Sequence, residues 1–260
     1  MDLGLAGKVA LVGASSKGLG KASALALARE GARVAICARG KADLEAAARQ
    51  ISAETDAEVL AVQADLATAD GVTRVIEATA ARFGGIDVLV SNAGGPPPGV
   101  FAALTDDDWR QAFELVTLTF VRLVRGVVPY MRANQWGRVI AIQSSSVKQP
   151  VRGLDLSNGI RPGTAGLMKS IMHELARDGV TVNLVLPGSF RTDRILAMRG
   201  GEDDAALEQR LAAAGASIPV GRLGEPAELG GLVAFLASQQ ASYITGAAYQ
   251  VDGGAIQSSL

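Results

Sequence analysis

Short apolar runs alternate with helix-length amphipathic stretches along most of the chain. The runs are apolar on both faces, which is typical of parallel strands buried between two layers of helices. The stretches between them repeat apolar residues at helical spacing, as Ala22, Leu25 and Ala26 do. This alternation predicts βαβ units, and therefore an α/β fold with a doubly wound parallel sheet and helices on both faces. The predicted strands cover residues 8–12, 33–38, 58–63, 87–91, 138–144 and 180–186.

No repeat or low-complexity linker divides the sequence, so we predict a single domain over residues 1–260. The strongest break is the Gly- and Pro-rich stretch at residues 94–99, which follows a predicted strand and precedes a helix start at Thr105. We therefore expect a loop at the carboxyl edge of the sheet. A more polar segment, within about residues 190–218, is predicted to form a variable lid over the same edge.

Charge and composition argue against several classes of partner. The chain has 25 basic and 26 acidic residues, and its net charge of −1 gives no electrostatic footprint for nucleic acid or an anionic membrane. No apolar run reaches the length of about 18 residues that a membrane span needs. The single cysteine, Cys37, excludes an intrachain disulfide, and with His173 as the only histidine no metal site is expected. We expect a cytoplasmic protein that acts on a small molecule.

A glycine-rich turn follows the first predicted strand and leads straight into a helix. Residues 13–20 have the sequence Gly-Ala-Ser-Ser-Lys-Gly-Leu-Gly. Glycines in such a turn let backbone N–H groups and the helix N-terminus approach a pyrophosphate. In combination with other motifs, the turn indicates a dinucleotide site.

Those further motifs follow in order along the chain. They are Ala-Asp-Leu at residues 64–66, Phe-Gly-Gly-Ile-Asp-Val-Leu-Val-Ser-Asn-Ala-Gly at 83–94, Pro-Gly at 187–188, Ala-Ser-Tyr-Ile-Thr-Gly at 241–246 and Val-Asp-Gly-Gly at 251–254. With the glycine turn, the series resembles the short-chain dehydrogenase/reductase superfamily over nearly the whole length, and it is similar to 3-oxoacyl-acyl-carrier-protein reductases. The chain is also similar to a divergent group of those reductases that has an irregular glycine motif and an incomplete catalytic tetrad.

The resemblance implies an architecture and an assembly. The fold would be Rossmann-type, with its last strand at residues 251–254. The assembly would be a homotetramer, in which the long helices around residues 109–133 and 154–178 pair between subunits.

The resemblance also assigns a cofactor role to the glycine turn and to the strand ends. Asp65 and Leu66 would meet the adenine, and residues 92–94 would line the ribose. One position departs from the family: Ala14 stands where the tight turn has a glycine, and its methyl group is expected to strain the loop. The full predicted cofactor set is Ala14, Ser16, Lys17, Gly18, Leu19, Gly20, Arg39, Asp65, Leu66, Asn92, Ala93, Gly94, Pro187, Gly188, Phe190 and Thr192.

The charges near the second strand indicate which cofactor to expect. An acidic residue at the strand end would bind the adenosine ribose and repel a 2′-phosphate, but Ala38 occupies that position and Arg39 follows it. Lys17 adds a second cation from the glycine turn. Both cations favour NADP(H) over NAD(H); the alternative is that they are solvated surface charges.

The same resemblance implies a catalytic tetrad of serine, tyrosine, lysine and asparagine, and three of its four members are replaced. Ser144, after the fifth apolar run, falls on the serine. The tyrosine and lysine positions fall on Ser157 and Arg161, and the asparagine position falls on Val116. Ser144, Ser157 and Arg161 are therefore the candidate catalytic residues.

These replacements weaken the family's chemistry. The alkyl hydroxyl of Ser157 is a far weaker acid than a phenol, and Arg161 stays protonated where a lysine could pass on a proton. General acid catalysis contributes about 10²–10⁴-fold, so the usual mechanism should be slower by that factor. Three hypotheses stay open: an NADP(H)-dependent oxidoreductase with a modified donor set, a non-catalytic nucleotide-binding or scaffold protein, and a non-redox reaction in which Arg161 binds an anionic substrate.

Overall fold

The computed structural model describes residues 2–193, 195 and 204–258. Within them, seven strands form one sheet in the order β3-β2-β1-β4-β5-β6-β7, and every neighbouring pair is parallel. The predicted doubly wound parallel sheet is confirmed. The strands are β1 (Val9–Val12), β2 (Arg33–Ala38), β3 (Val59–Gln63), β4 (Val88–Ser91), β5 (Gly137–Ile142), β6 (Val180–Pro187) and β7 (Ala248–Val251).

The six strands predicted from the apolar runs are all present, with ends that differ by one or two residues. β5 ends before Gln143, so Ser144 lies beyond the strand rather than at its last position. The strand predicted at residues 251–254 is wrong in its bounds, because β7 precedes most of that motif. Gly253 and Gly254 take positive φ angles of 65° and 84°, which turn the chain away from the sheet.

Helices connect the strands and cover both faces of the sheet. Thr105 caps the N-terminus of α4 in a reciprocal capping box, as the acidic residues after it predict. No helix among the described residues is long and apolar enough to cross a bilayer. The helices are α1 (Gly18–Arg29), α2 (Lys41–Thr55), α3 (Ala69–Phe83), α4 (Asp106–Phe113), α5 (Thr119–Ala133), α6 (Asp155–Leu175), α7 (Asp204–Ala216) and α8 (Pro226–Ala237), with a π-helical segment, Glu114–Leu118, between α4 and α5.

Side chains along each strand alternate between two apolar cores, one on each face of the sheet. Val9 and Leu11 of β1 pack with residues of α3, α5 and α6. Ala10 and Val12 pack with residues of α1, α2 and α8 on the opposite face. All four side chains are at most 2% exposed. This burial on two sides is why the strands are continuously apolar instead of alternating with polar residues.

The order of the strands reverses beside β1. The chain builds outward through β2 and β3 on one side, then crosses over to β4, β5 and β6 on the other. In an open parallel sheet, such a reversal leaves a crevice outside the carboxyl ends of the strands. The segments that follow β1, β4 and β5 meet there, and they carry Ala14, Asn92 and Ser144.

The predicted lid at residues 190–218 is described only in part, because residues 194 and 196–203 lie outside the described residues. In the described part, Leu211 and Ile218 form a small apolar cluster with Leu223, which lies just after the segment. That cluster gives the segment a packing core separate from the two faces of the sheet. Closure of the segment over the crevice stays a prediction.

Candidate functional site

The crevice contains two adjoining cavities, of about 370 Å³ against α6 and about 600 Å³ at the end of β2, called here the α6 cavity and the β2 cavity. Each has the size of a small-molecule pocket. Every residue predicted as catalytic or cofactor-binding lines one of the two. Both cavities are lined by Ala14, Ala93 and Gly94; the α6 cavity also by Lys17, Gly18, Leu19, Gly20, Asn92, Ser144, Ser157, Arg161, Pro187, Gly188, Phe190 and Thr192; the β2 cavity also by Ser16, Arg39, Asp65 and Leu66.

The glycine turn between β1 and α1 forms one wall of the α6 cavity. A Cβ on Gly20 would lie 2.4 Å from the carbonyl oxygen of Ala14, so only glycine allows the turn to fold this tightly. Gly18 has a φ of +56°, a conformation that glycine adopts without strain. The first turn of α1 contains no acidic side chain, and Lys17 at the N-cap gives no side-chain cap. These features fit the pyrophosphate of a dinucleotide.

Ala14 adopts the backbone conformation that the family's glycine would favour. Its φ is +44°, in the left-handed region, which costs a residue with a Cβ about 1–2 kcal/mol. The amide of Asn92 stabilises the turn from the end of β4. Its Nδ2 donates to the carbonyl oxygens of Gly13, at 3.1 Å, and Ala14, at 3.3 Å. The loop therefore keeps its shape with an alanine, at the cost of local strain.

The β2 cavity carries charges of both signs. Arg39 is exposed at its rim, directly after β2. Lys17 forms an ion pair with Asp43 of α2 at 2.9 Å, and both side chains are about half exposed. The hydrogen bond and the charge of Asp43 raise the pKa of Lys17. The sequence analysis did not predict Asp43 as a site residue. Its position in the first turn of α2, four residues after Arg39, could have indicated it.

Cys37 of β2 contributes to the wall of the β2 cavity but is fully buried. Burial raises the pKa of its thiol to about 12, so the thiol stays protonated and unreactive at neutral pH. The backbone around Cys37 is held by Ser15, whose hydroxyl accepts from the N–H of Cys37 at 3.0 Å and donates to Val12 at 2.7 Å. Cys37 is therefore a structural residue of the cavity wall.

Three serines form a connected cluster, and two of them, Ser144 and Ser157, line the α6 cavity. The backbone N–H of Ser146 donates to the Oγ of Ser144 at 3.1 Å. The Oγ atoms of Ser146 and Ser157 are 2.9 Å apart and share a hydrogen bond. The proton of the Ser144 hydroxyl has no acceptor among the described residues and can be donated to a ligand oxygen. Sequence reasoning missed Ser146, although it lies two residues from Ser144.

Arg161 lies one turn after Ser157 on α6 and is 7% exposed. Its Nη1 donates to the Oε1 of Gln143 at 3.0 Å. Val116, on the π-helical segment, faces the same place: a space of only about 10 Å³ is lined by Val116, Gln143 and Arg161 together with strand-end residues. The predicted position of the family's asparagine is thus apolar and closely packed. Gln143 was not predicted as a site residue.

Known proteins similar to this chain are reductases. A family model described as enoyl-(acyl carrier protein) reductase matches residues 13–255. The 3-oxoacyl-[acyl-carrier-protein] reductase FabG of Vibrio cholerae is 35% identical over 252 residues, which cover 97% of this chain and 98% of that protein.

Solved structures agree with the sequence matches. L-sorbose reductase of Gluconobacter frateurii, crystallised with NADPH and L-sorbose, has a TM-score of 0.95 and 34% identity, covering 99% of this chain and 100% of its own. A variant of actinorhodin polyketide ketoreductase, crystallised with NADPH, has a TM-score of 0.89 and 30% identity, covering 96% of this chain and 98% of its own. The chain therefore belongs to the short-chain dehydrogenase/reductase superfamily and is similar to its 3-oxoacyl-acyl-carrier-protein reductases.

Proposed function

We propose that this protein is an NADP(H)-dependent reductase of a small carbonyl compound, similar to 3-oxoacyl-acyl-carrier-protein reductases, that works without the tyrosine and lysine of its family. The observation that carries the proposal is the continuous pair of cavities at the strand reversal, lined by the whole predicted cofactor set. Two structural neighbours were crystallised with NADPH, which supports the same cofactor class.

The preference for NADP(H) rests on the rim of the β2 cavity. Arg39 follows the strand at the point where an adenosine ribose would lie, and Ala38 provides no carboxylate there. A guanidinium can bind a 2′-phosphate through paired hydrogen bonds, whereas a carboxylate would repel it. Lys17 is a weaker candidate, because Asp43 already compensates its charge.

In the α6 cavity, the cofactor would supply a hydride to the carbonyl carbon. The hydroxyl of Ser144 donates a hydrogen bond to the carbonyl oxygen and so orients the substrate. Ser157, held by Ser146, lies beside it as a second hydroxyl. The high pKa of an alkyl hydroxyl makes Ser157 a poor final proton source, so the proton that completes the reduction comes from water in the open crevice. Turnover is correspondingly slow.

A second function is favoured by one observation. The described residues that line the α6 cavity include no tyrosine and no histidine, the side chains that most suit proton transfer to a carbonyl oxygen. A protein with this cavity could bind the dinucleotide and carry out no reduction, serving as a nucleotide-responsive scaffold. A non-redox reaction with an anionic substrate at Arg161 is the third possibility.

A binding titration followed by a substrate screen tests the proposal. NADPH and NADH are titrated against the wild-type protein, Arg39→Ala and the matched control Arg49→Ala, which removes an exposed arginine of α2 that lines neither cavity. Loss of charge-assisted hydrogen bonds should weaken NADPH binding at least about tenfold in Arg39→Ala and leave NADH binding unchanged. Failure of both dinucleotides to bind the wild type would refute the proposal.

The screen then separates the first two functions. Oxidation of NADPH in the presence of any member of a panel of 3-oxoacyl thioesters, ketoses and aromatic ketones supports the reductase. Tight binding of NADPH with no oxidation across the panel supports the non-catalytic function instead.

We further propose a homotetramer in the cytoplasm. The family resemblance supports the assembly, and a single, fully buried cysteine agrees with a reducing compartment. Light scattering coupled to size-exclusion chromatography measures the assembly directly.

A further inference from the structure

Gln143 connects the end of β5 to the guanidinium of Arg161. Its backbone is fixed to the neighbouring strand, since its N–H donates to the carbonyl oxygen of Val185 at 2.8 Å. Its side chain reaches across to α6, where Oε1 accepts from Nη1 of Arg161 at 3.0 Å. Gln143 and Arg161 are each only 7% exposed, so water screens this bond little.

The orientation of the Gln143 amide follows from the donor pattern. A guanidinium carries only donors, so the carbonyl oxygen of the amide has to face Arg161. An arginine side chain loses much of its conformational entropy when it is fixed in one position. The bond to Gln143 fixes it before any ligand arrives, and a ligand that binds Arg161 then meets a guanidinium already in place.

The surroundings leave Arg161 little freedom to move. The space between Val116, Gln143 and Arg161 has a volume of about 10 Å³. That is at the lower limit for a single water molecule, so neither a side chain nor a water chain can pass there. Arg161 also lines the α6 cavity, as do Ser157 and Pro187. The side chain of Arg161 therefore borders both this small space and the larger α6 cavity.

We propose that Gln143 is a positioning residue that holds the guanidinium of Arg161 at the wall of the α6 cavity, where Arg161 binds the nicotinamide-ribose half of the dinucleotide. The inference rests on the proposed NADP(H) binding. It assigns Gln143, Arg161 and Val116 to one unit that substitutes for the lysine and asparagine of the family: it provides fixed positive charge for binding and no path for protons.

Two ligands of different length test the proposal. NADPH spans both cavities, whereas adenosine 2′,5′-bisphosphate is expected to occupy only the β2 cavity. Dissociation constants for both are measured by calorimetry for the wild type, Gln143→Met and Gln149→Met. Methionine matches the size of glutamine but cannot accept the bond from Arg161, and Gln149 is an exposed glutamine that lines neither cavity.

The expected result is a selective loss. Gln143→Met should weaken NADPH binding about three- to tenfold, as expected for one lost hydrogen bond to a charged group in a site that partly adapts, and should leave the bisphosphate unaffected. The control Gln149→Met should change neither constant. In an Arg161→Met background, Gln143→Met should have no further effect on NADPH, because the two residues act through one contact.

If Gln143→Met does not fold, Gln143→Asn serves as the second variant. The asparagine side chain is shorter by about one C–C bond, roughly 1.5 Å, so its carbonyl oxygen does not reach Arg161. It should therefore give the same selective loss of NADPH binding. Equal weakening of both ligands would mean a general structural role and overturn the inference. Unchanged NADPH binding in a folded Gln143 variant would overturn it too, with the proposed function intact. If the wild type binds neither ligand, the proposed function and this inference both fail.

Discussion

Two regions of the crevice are expected to depart from the family to different degrees: the β2 cavity with the glycine turn, and the wall of the α6 cavity that helix α6 forms. The β2 cavity and the glycine turn depend mainly on backbone shape: a tight turn at Gly20, an open helix N-terminus and a strand end held by Asn92. The wall that α6 forms depends on side-chain chemistry, and there, by our proposal, Ser157 and Arg161 stand in place of the tyrosine and lysine. On this proposal, the geometry for binding is retained where the backbone enforces it, and the chemistry changes where single side chains carry it.

The region around Ser157, Arg161 and Val116 is nevertheless well ordered. Ser157 shares a hydrogen bond with Ser146, Arg161 donates to Gln143, and Val116 is only 4% exposed. Buried polar groups that lost their partners would cost about 1–3 kcal/mol each, so these hydrogen bonds of Ser157 and Arg161 help to keep the fold stable. We therefore expect these replacements to affect proton transfer more than folding or dinucleotide binding.

The largest expected effect comes from restoring the family's chemistry in the α6 cavity. We expect the triple variant Val116→Asn, Ser157→Tyr, Arg161→Lys to increase NADPH-dependent reduction about 10²–10⁴-fold, because a phenol beside an ammonium is a competent general acid at neutral pH. Ser157 already lines the cavity, so the new ring can extend into it. The measurement is the rate of NADPH oxidation across the carbonyl panel.

The control for that variant carries Ser157→Phe in place of Ser157→Tyr and lacks only the phenolic oxygen. A gain shared equally by the two triple variants would mean that shape, not proton donation, limits the wild type. No gain in either, with NADPH still bound, would place the deficiency outside these three positions.

The next largest effect is expected from a change to the backbone of the glycine turn. In Gly20→Ala, the new Cβ would lie 2.4 Å from the carbonyl oxygen of Ala14 and 2.8 Å from Nδ2 of Asn92, so the turn has to shift. Overpacking of this kind costs about 1–3 kcal/mol, and we expect NADPH binding to weaken about ten- to hundredfold, with a lower melting temperature. Fluorescence titration and thermal unfolding measure the two effects.

Gly231→Ala in α8 is the matched control, since its Cβ meets no atom within 4 Å and it lines neither cavity. That variant should bind NADPH normally and unfold at the same or a slightly higher temperature. Wild-type affinity in Gly20→Ala would show that the tight turn is not what retains the binding half.

Much of this comparison was predictable from the sequence, and the limits have a physical origin. Continuous apolar strands predicted the sheet, because two-sided burial acts on every strand position. The residues that line the crevice were predictable by resemblance. Gln143 and Asp43 were not, because their importance depends on side chains that meet across separate elements: Gln143 and Arg161 are 18 residues apart. Only the folded register of α6 against β5 brings that pair together.

A smaller effect is expected at the charged rim of the β2 cavity. Asp43→Asn removes the partner of Lys17 and a negative charge near the expected 2′-phosphate. Because both side chains are about half exposed, we expect a gain of only about two- to fivefold in NADPH affinity, lost at high salt, and no gain for NADH. Glu45→Gln, which breaks the exposed pair with Lys41 on the same helix, is the control and should change neither affinity. A gain for both dinucleotides would mean that Asp43 does not act on the 2′-phosphate.

The smallest effect is expected at Ala14, the one position where the binding half departs from its family. Ala14→Gly relieves a φ of +44°, worth about 1–2 kcal/mol, but adds about 0.4–1 kcal/mol of conformational freedom to the unfolded chain. The net gain of about 0–1.6 kcal/mol should raise the melting temperature by no more than about 6 °C. Because Asn92 already holds the turn, NADPH affinity should change less than about twofold.

Gln135→Gly is the control for Ala14→Gly, since Gln135 has a similar φ of +48° and lines neither cavity. Equal stabilisation in both variants, with unchanged NADPH binding in both, is the expected outcome: the alanine then costs stability and nothing else. A large gain of affinity in Ala14→Gly alone would mean that the methyl group obstructs the pyrophosphate. In that case the glycine turn has also diverged from the family in its binding of the cofactor. The glycine turn and the wall formed by α6 would then differ from the family only in degree.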